Sequence, residues 1–130
     1  MKQDYLVISR GQWDADAPKE DIEAAITKFY DWLDGCISQG RMKRGSRLTI
    51  EGAVASKGGV VIDGPFGEGK EVVGGYWFIV AESLREAAEL AAKNPCTQFG
   101  LTFEVRPLEA ERCSVFDLTN ESPQPRRTDG

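Results

Sequence analysis

The sequence predicts an α+β domain in which two helices cover one face of an antiparallel sheet. The predicted elements follow one another in the order β-α-β-β-β-α-β, one strand is apolar throughout, and the last strand alternates apolar and polar residues. With 130 residues and 41% hydrophobic content, the chain is long enough to bury one core of its own.

The first strand and the first helix are predicted from the N-terminal third of the chain. The run DYLVISR, residues 4–10, is rich in β-branched and apolar residues, which is typical of a strand. Pro18 suits the first turn of a helix. Apolar residues then recur at spacings of three and four, as on one face of a helix: Ile22, Ile26, Phe29, Leu33 and Ile37. We expect this helix to end near Gly40 and to bury the thiol of Cys36.

The middle of the chain is predicted to supply further strands. LTI and AVAS, residues 48–50 and 53–56, are strand-like, and so is VVID, residues 60–63. The pair Gly58-Gly59 favours a hairpin turn before VVID. The continuous apolar run GGYWFIVA, residues 74–81, is typical of a strand that is covered on both faces.

The second helix and the last strand complete the pattern. Ser83 is the predicted N-cap of a capping box with Glu86, and Pro95 stops the Ala-rich helix that follows. The run FGLTFEVRP, residues 99–107, alternates as a half-buried antiparallel strand does. This order of elements predicts the split-βαβ, ferredoxin-like arrangement.

One face of such a sheet is left without a cover, because a chain this small has no third layer. The wholly apolar segment YWFIV, residues 76–80, indicates that both faces of its strand are dry. We therefore predict a homodimer formed through the open sheet face. We divide the chain into a domain at residues 1–112 and a loose polar extension at residues 113–130.

Charge and hydropathy argue against two classes of partner. No apolar run approaches the roughly 20 residues needed to cross a bilayer, and the N-terminus lacks a signal peptide pattern. We expect a cytoplasmic location and no membrane contact. The net charge is −5, and the short basic stretch RMKRGSR, residues 41–47, lacks interleaved aromatic residues. We interpret that stretch as a solvated loop and expect no nucleic-acid binding.

The absence of histidine limits the chemistry within the chain. It excludes a Ser-His-Asp triad and His-ligated metal sites. Cys36, Cys96 and Cys113 are odd in number and form no CxxC pair, so we expect neither disulfides nor a metal, and no cofactor. Acid–base chemistry would fall to Asp, Glu, Lys, Tyr, Cys or a borrowed group.

An unusually long, glycine-rich connection, DGPFGEGKE at residues 63–71, separates two of the strand-like runs. Pro65 fixes its own φ and pushes the preceding glycine towards extended conformations. Asp63 and Phe66 are therefore held in set directions.

Two interpretations of this loop remain open. In the functional one, Asp63 is a carboxylate at the mouth of a pocket, Phe66 is its wall and Lys70 binds an anionic group or tunes Asp63. In the structural interpretation, Asp63 forms the turn, the Phe66 side chain packs into the core, and Lys70 and Glu71 are solvated. The residues alone favour the structural interpretation.

The loop also resembles the signature of the YCII-related, DGPF-domain proteins, whose usual form is D-G-P-F-A-E-T-K-E. Gly67 and Gly69 replace the usual Ala and Thr. The matching residues are Asp63, Gly64, Pro65, Phe66, Glu68, Lys70 and Glu71. The likeness extends to about Leu108 through these segments: Gly40-Arg41-Met42, Gly74-Gly75, SLREAAELAAKNP and EVRPL.

This resemblance implies a ferredoxin-like fold that pairs into a dimeric α/β barrel. Some relatives are small-molecule enzymes with a His–Asp pair in the pocket, which a chain without histidine cannot reproduce. Other DGPF proteins are associated with extracytoplasmic-function sigma factors, which implies an accessory or sensing role.

Two hypotheses about function follow. The first is a homodimer that binds a small molecule near the DGPF loop as an accessory or regulatory protein, with sigma-factor-linked regulation as one form of this role. The second is a lyase- or dehalogenase-like enzyme in which Asp63 takes or positions a proton. The missing histidine favours the first. The candidate ligand-binding residues are Phe66, Glu68, Lys70, Glu71 and Arg106.

Overall fold

The computed structural model describes residues 1–62 and 71–123. Within them lie six strands and two α-helices, together with a 3₁₀ helix at Pro95–Phe99. The order is β1 (Gln3–Arg10), α1 (Lys19–Ser38), β2 (Met42–Arg47), β3 (Ala53–Ser56), β4 (Gly59–Ile62), β5 (Val73–Ala81), α2 (Leu84–Ala91) and β6 (Thr102–Pro107). The predicted α+β class, with an antiparallel sheet and two helices, is confirmed.

The main sheet has four strands in the order β2-β5-β1-β6. Each neighbouring pair is antiparallel. Strands β1 and β2 therefore run parallel on either side of β5, and α1 connects them. Strands β5 and β6 flank β1 in the same way, and α2 connects them. Two split βαβ units thus interlock. Strands β3 and β4, which follow β2 and precede β5 along the chain, form a separate two-stranded hairpin.

The ends of both α-helices agree with their sequence signals. Helix α1 starts after Pro18 and is followed by Gly40, whose φ of 74° is the left-handed conformation that ends many helices. Ser83 is the N-cap of α2, and its side chain accepts a hydrogen bond from the Glu86 backbone nitrogen at 3.1 Å. Pro95 opens the 3₁₀ helix that follows α2. Within the described residues, no helix has the length and apolar character needed to span a bilayer.

The core lies between the two helices and one face of the sheet. Alternate residues of β1 and β5 point into it, and Val7 and Ile79 are fully buried. Each such side chain contributes roughly 1.5–3 kcal/mol on burial. Cys36 of α1 is also buried here, as predicted.

Strand β2 lies where the sequence predicts a solvated loop. Met42 pairs with Ile79 of β5 and is 2% exposed, whereas the other side chains of β2 are exposed or half-buried. Pairing with the edge of β5 supplies the backbone hydrogen bonds, so position in the sheet overrides a weak side-chain preference for strand. The predicted strand LTI, residues 48–50, is not a strand, which leaves β2 as an element that the sequence pattern missed.

The last strand begins later than its alternation predicts. Phe99 belongs to the 3₁₀ helix, and Gly100 turns the chain with a φ of 105°. From Thr102 onward the predicted alternation holds, because Phe103 and Val105 pack on the core while Glu104 and Arg106 alternate with them.

The second face of the sheet is open in the single chain. Its centre is apolar: Leu6, Ile8, Tyr76, Phe78 and Val80. Tyr76 is 38% exposed and the others are half-buried, so β5 is dry on one face only within one chain. Charged residues also lie on this face, where Lys43 contacts Asp4 at 2.8 Å and Arg10 contacts Glu104 at 2.6 Å.

Candidate functional site

A cavity of about 280 Å³ lies between α1 and the helix-facing side of the sheet. Three small residues, Ser9 of β1, Gly45 of β2 and Gly75 of β5, form part of its lining. A Cβ atom on Gly75 would lie 2.8 Å from the carbonyl oxygen of Ser46. Because β2 approaches β5 so closely, only glycine fits at this position, and no side chain from it projects towards the cavity.

Aromatic side chains form the walls of the cavity. The ring of Phe29 on α1 lies 5.4 Å from that of Trp77 on β5, and Trp77 lies 5.5 Å from Phe103 on β6. These tilted contacts link α1 to two strands and hold the rings in fixed positions. Trp13 and Tyr30 add two further aromatic residues to the lining.

Two buried nitrogen atoms belong to lining residues and lack an acceptor. Asn94 is 1% exposed, and its Oδ1 accepts a hydrogen bond from the Cys96 backbone nitrogen at 2.8 Å. This bond leaves its Nδ2 as the free donor, and neither that atom nor Trp77 Nε1 has a partner among the described residues. An unsatisfied buried donor costs about 1–3 kcal/mol, and both of these atoms are closed off from solvent.

Two arginines of β2, Arg44 and Arg47, also line the cavity. Arg44 contacts Asp34 at 3.3 Å, whereas Arg47 forms no ion pair within the described part of the chain. A Cβ atom on Gly74 would lie 3.4 Å from both terminal nitrogens of Arg47 and 3.5 Å from Ser9 Oγ. The guanidinium group and the Ser9 hydroxyl therefore meet at this glycine.

The lining contains one thiol, that of Cys96. Burial raises its pKa to about 11, and the positive charge of Arg47 acts in the opposite direction. The thiol is therefore protonated at neutral pH and is a poor nucleophile. Across residues 1–62 and 71–123, no group of three or more His, Cys, Asp or Glu side chains could hold a metal ion.

Most of the site residues predicted from the loop lie outside the described residues: Asp63, Phe66, Glu68 and Lys70. Glu71 is described, and its carbonyl oxygen accepts a hydrogen bond from Arg10 Nη1 at 3.4 Å. Arg106 Nη1 donates to Glu104 Oε2 at 3.1 Å. Arg10 also binds Glu104, so these contacts bring Glu71 and Arg106 into one network. Neither residue lines the cavity, and their role in ligand binding stays a prediction.

Sequence reasoning missed the cavity itself and its polar residues Arg47, Trp77 and Asn94. Gly45 gave a signal, because a glycine inside a strand marks a close approach of backbones. That signal was hidden because residues 41–47 lack the alternation that predicts a strand.

The family model of the YCII-related domain matches residues 5–110. The chain belongs to the YCII-related domain family. The match spans all the strands and helices between Tyr5 and Pro107, including every element that lines the cavity. The family resemblance seen in the sequence is therefore confirmed. No curated protein matches the sequence of this YCII-related domain.

Proposed function

We propose that this YCII-related protein is a homodimer that binds a small molecule in the cavity between α1 and the sheet. The observation that carries the proposal is the cavity, whose walls are aromatic and whose lining residues hold buried donors without acceptors. Ligand sites in proteins typically combine mostly apolar walls with a few fixed polar groups.

Binding without catalysis is the activity that the described lining supports. Apart from Tyr30 and Tyr76, the described lining offers no group for acid–base chemistry: it includes no Asp, Glu, Lys or His side chain, and the Cys96 thiol is protonated at neutral pH. An accessory or regulatory role fits such a cavity. The enzyme hypothesis depends on Asp63, which lies outside the described residues.

The homodimer is proposed to form through the open face of the sheet. Two copies facing each other there would cover the apolar side chains at its centre, such as Ile8 and Phe78, and would form the dimeric α/β barrel. The ligand cavity lies on the opposite, helix-covered side. In the proposed dimer, the described residues that line each cavity therefore all come from one protomer.

The chain contains its own reporters for a test of ligand binding. Trp13 and Trp77 line the cavity, whereas Trp32 of α1 packs on the core and is not part of the lining. A library of small neutral, anionic and cationic fragments is added to ¹⁵N-labelled protein, and the three indole N–H signals, assigned with Trp→Phe variants, are followed by NMR.

We expect bound fragments to shift the signals of Trp13 and Trp77 and to leave that of Trp32 nearly unchanged. If no fragment class shifts the Trp13 and Trp77 signals, the cavity is not a ligand site and the proposal fails.

A further inference from the structure

We propose that the cavity selects a small organic anion, with a carboxylate or similar planar oxyanion at Arg47 and a single apolar ring between the aromatic walls. This inference rests on the proposed function, because it names the class of ligand that the same cavity takes.

The charge of the lining is opposite to that of the chain. The whole sequence has 21 acidic and 16 basic residues, yet the described lining has two arginines and no carboxylate. Asp34 offsets Arg44, and Arg47 has no such partner among the described residues. An anion therefore enters a locally positive site on an otherwise acidic protein.

The polar groups of the lining also favour an acceptor. Arg47 offers a planar fork of donors that matches a carboxylate, and the Ser9 hydroxyl meets it at Gly74. Two lining residues, Asn94 and Trp77, also carry N–H donors that have no acceptor among the described residues. An ammonium group would find the Arg47 cation beside it and no carboxylate among the described lining residues.

The volume and the walls limit the rest of the ligand. About 280 Å³ lies near the lower end of the range of ligand sites, roughly 300–1,000 Å³. The rings of Phe29, Trp77 and Phe103 supply apolar surface and π faces, which suit a flat apolar or aromatic body.

Pairs of ligands that share a ring but differ in charge separate the contribution of the charge to binding from that of the ring. Benzoate and phenylacetate are titrated against the full-length protein, each beside its neutral amide, and the Trp13 and Trp77 indole signals report binding. The same titrations are run on Arg47→Gln and on Arg85→Gln. Arg85 is an exposed arginine of α2 that pairs with Glu89 and lies outside the lining, so it is the control.

Arg47 is itself exposed, so we expect each carboxylate to bind up to about fivefold more tightly than its amide, as for an ion pair that water partly screens. Arg47→Gln should remove most of this difference, and Arg85→Gln should leave it unchanged. An unshifted Trp32 signal in both variants would show that the fold is intact.

Three results would overturn the inference. The first is that the carboxylates bind no more tightly than the amides. The second is that the preference for carboxylates survives Arg47→Gln. The third is that none of the four compounds shifts the Trp13 and Trp77 signals. The proposed function still stands in each of these cases if other fragments shift those two signals. It fails only if no fragment does, so the two failures are distinguishable.

Discussion

Gly45 lies so close to Tyr76 that a Cβ atom on Gly45 would stand 2.0 Å from the Tyr76 carbonyl oxygen. The contact lies where the register between β2 and β5 is irregular, between Lys43 and Ser46. It fixes the distance between the two strands at the cavity. Arg44, within this irregular stretch, and Arg47, just after it, both line the cavity.

Replacing Gly45 with alanine should therefore destabilise the fold. The added methyl group meets backbone rather than a movable side chain, so β2 must shift. We expect a loss of about 1–3 kcal/mol in the free energy of unfolding, measured by urea titration. A stability equal to that of the parent would contradict the close approach of β2 and β5.

The same substitution at Gly35 should have the opposite effect. Gly35 lies on the exposed side of α1, and a Cβ atom there meets nothing within 4 Å. Alanine is a better helix former than glycine by about 0.5–1 kcal/mol. We expect Gly35→Ala to raise the free energy of unfolding by that amount in the same urea titration. A lower stability would mean that the helix surface is more crowded than the structure shows.

The sequence predicts the elements whose side chains carry a periodic pattern, and it misses those held by their neighbours. The stripe through Leu33 predicts α1, and the Ser83 cap predicts the start of α2. Strand β2 has charged residues and a glycine where a strand pattern needs alternation, because β5 and not its own composition makes it a strand.

The cavity is harder to predict for a related reason. It is built from residues far apart in the sequence, such as Ser9, Arg47 and Asn94, which only the sheet order and the 3₁₀ helix bring together. Each of these residues is unremarkable in its own segment. The family resemblance rests mainly on the DGPF loop, residues 63–71. The nearest lining residue in the sequence, Gly75, comes four residues after the end of that loop.

A charge at the centre of the open sheet face should prevent dimer formation. Phe78 is half-buried there, and the proposed partner would cover it completely. We expect Phe78→Asp to be monomeric in sedimentation velocity and the parent to be dimeric, because an unpaired carboxylate is costly in an apolar interface. Leu84→Asp on α2 is the control, since Leu84 is 47% exposed away from that face. A monomeric parent, or a dimeric Phe78→Asp, would remove the sheet face as the interface.

The ionisation of Glu104 should make the free energy of unfolding depend on pH, in a pH range below the ordinary pKa of a glutamate side chain. Hydrogen bonds from Arg10 and then Arg106 lower its pKa from 4.5 in the folded protein. The stabilisation is therefore present above pH 4.5 and is lost as the pH falls through the lowered folded-state pKa.

The test compares Glu104→Gln with the parent in urea titrations from pH 7 to pH 2.5. Because these side chains are partly exposed, we expect the variant to lose at most about 1 kcal/mol at pH 7. The difference between the two proteins should shrink towards zero at the acid end. A difference that stays constant over the whole range would show that the charge of Glu104 does not contribute.

The three cysteines should differ sharply in reactivity. Cys113 is exposed, whereas Cys36 and Cys96 are buried. The pKa of Cys96, about 11, also leaves only about one thiol in a thousand ionised at pH 8. We expect one thiol of the native protein to react quickly with an aromatic disulfide reagent, and all three thiols to react after unfolding in urea. Cys113→Ser should remove the fast reaction.

Arg47 connects this reactivity to the cavity. Its positive charge lowers the pKa of Cys96, so Arg47→Gln should slow the residual reaction of Cys96 in a protein that also carries Cys113→Ser and Cys36→Ala. Benzoate in the cavity should slow it as well, because its negative charge offsets that of the Arg47 guanidinium. A residual rate that rises in Arg47→Gln would contradict the placement of Arg47 beside Cys96.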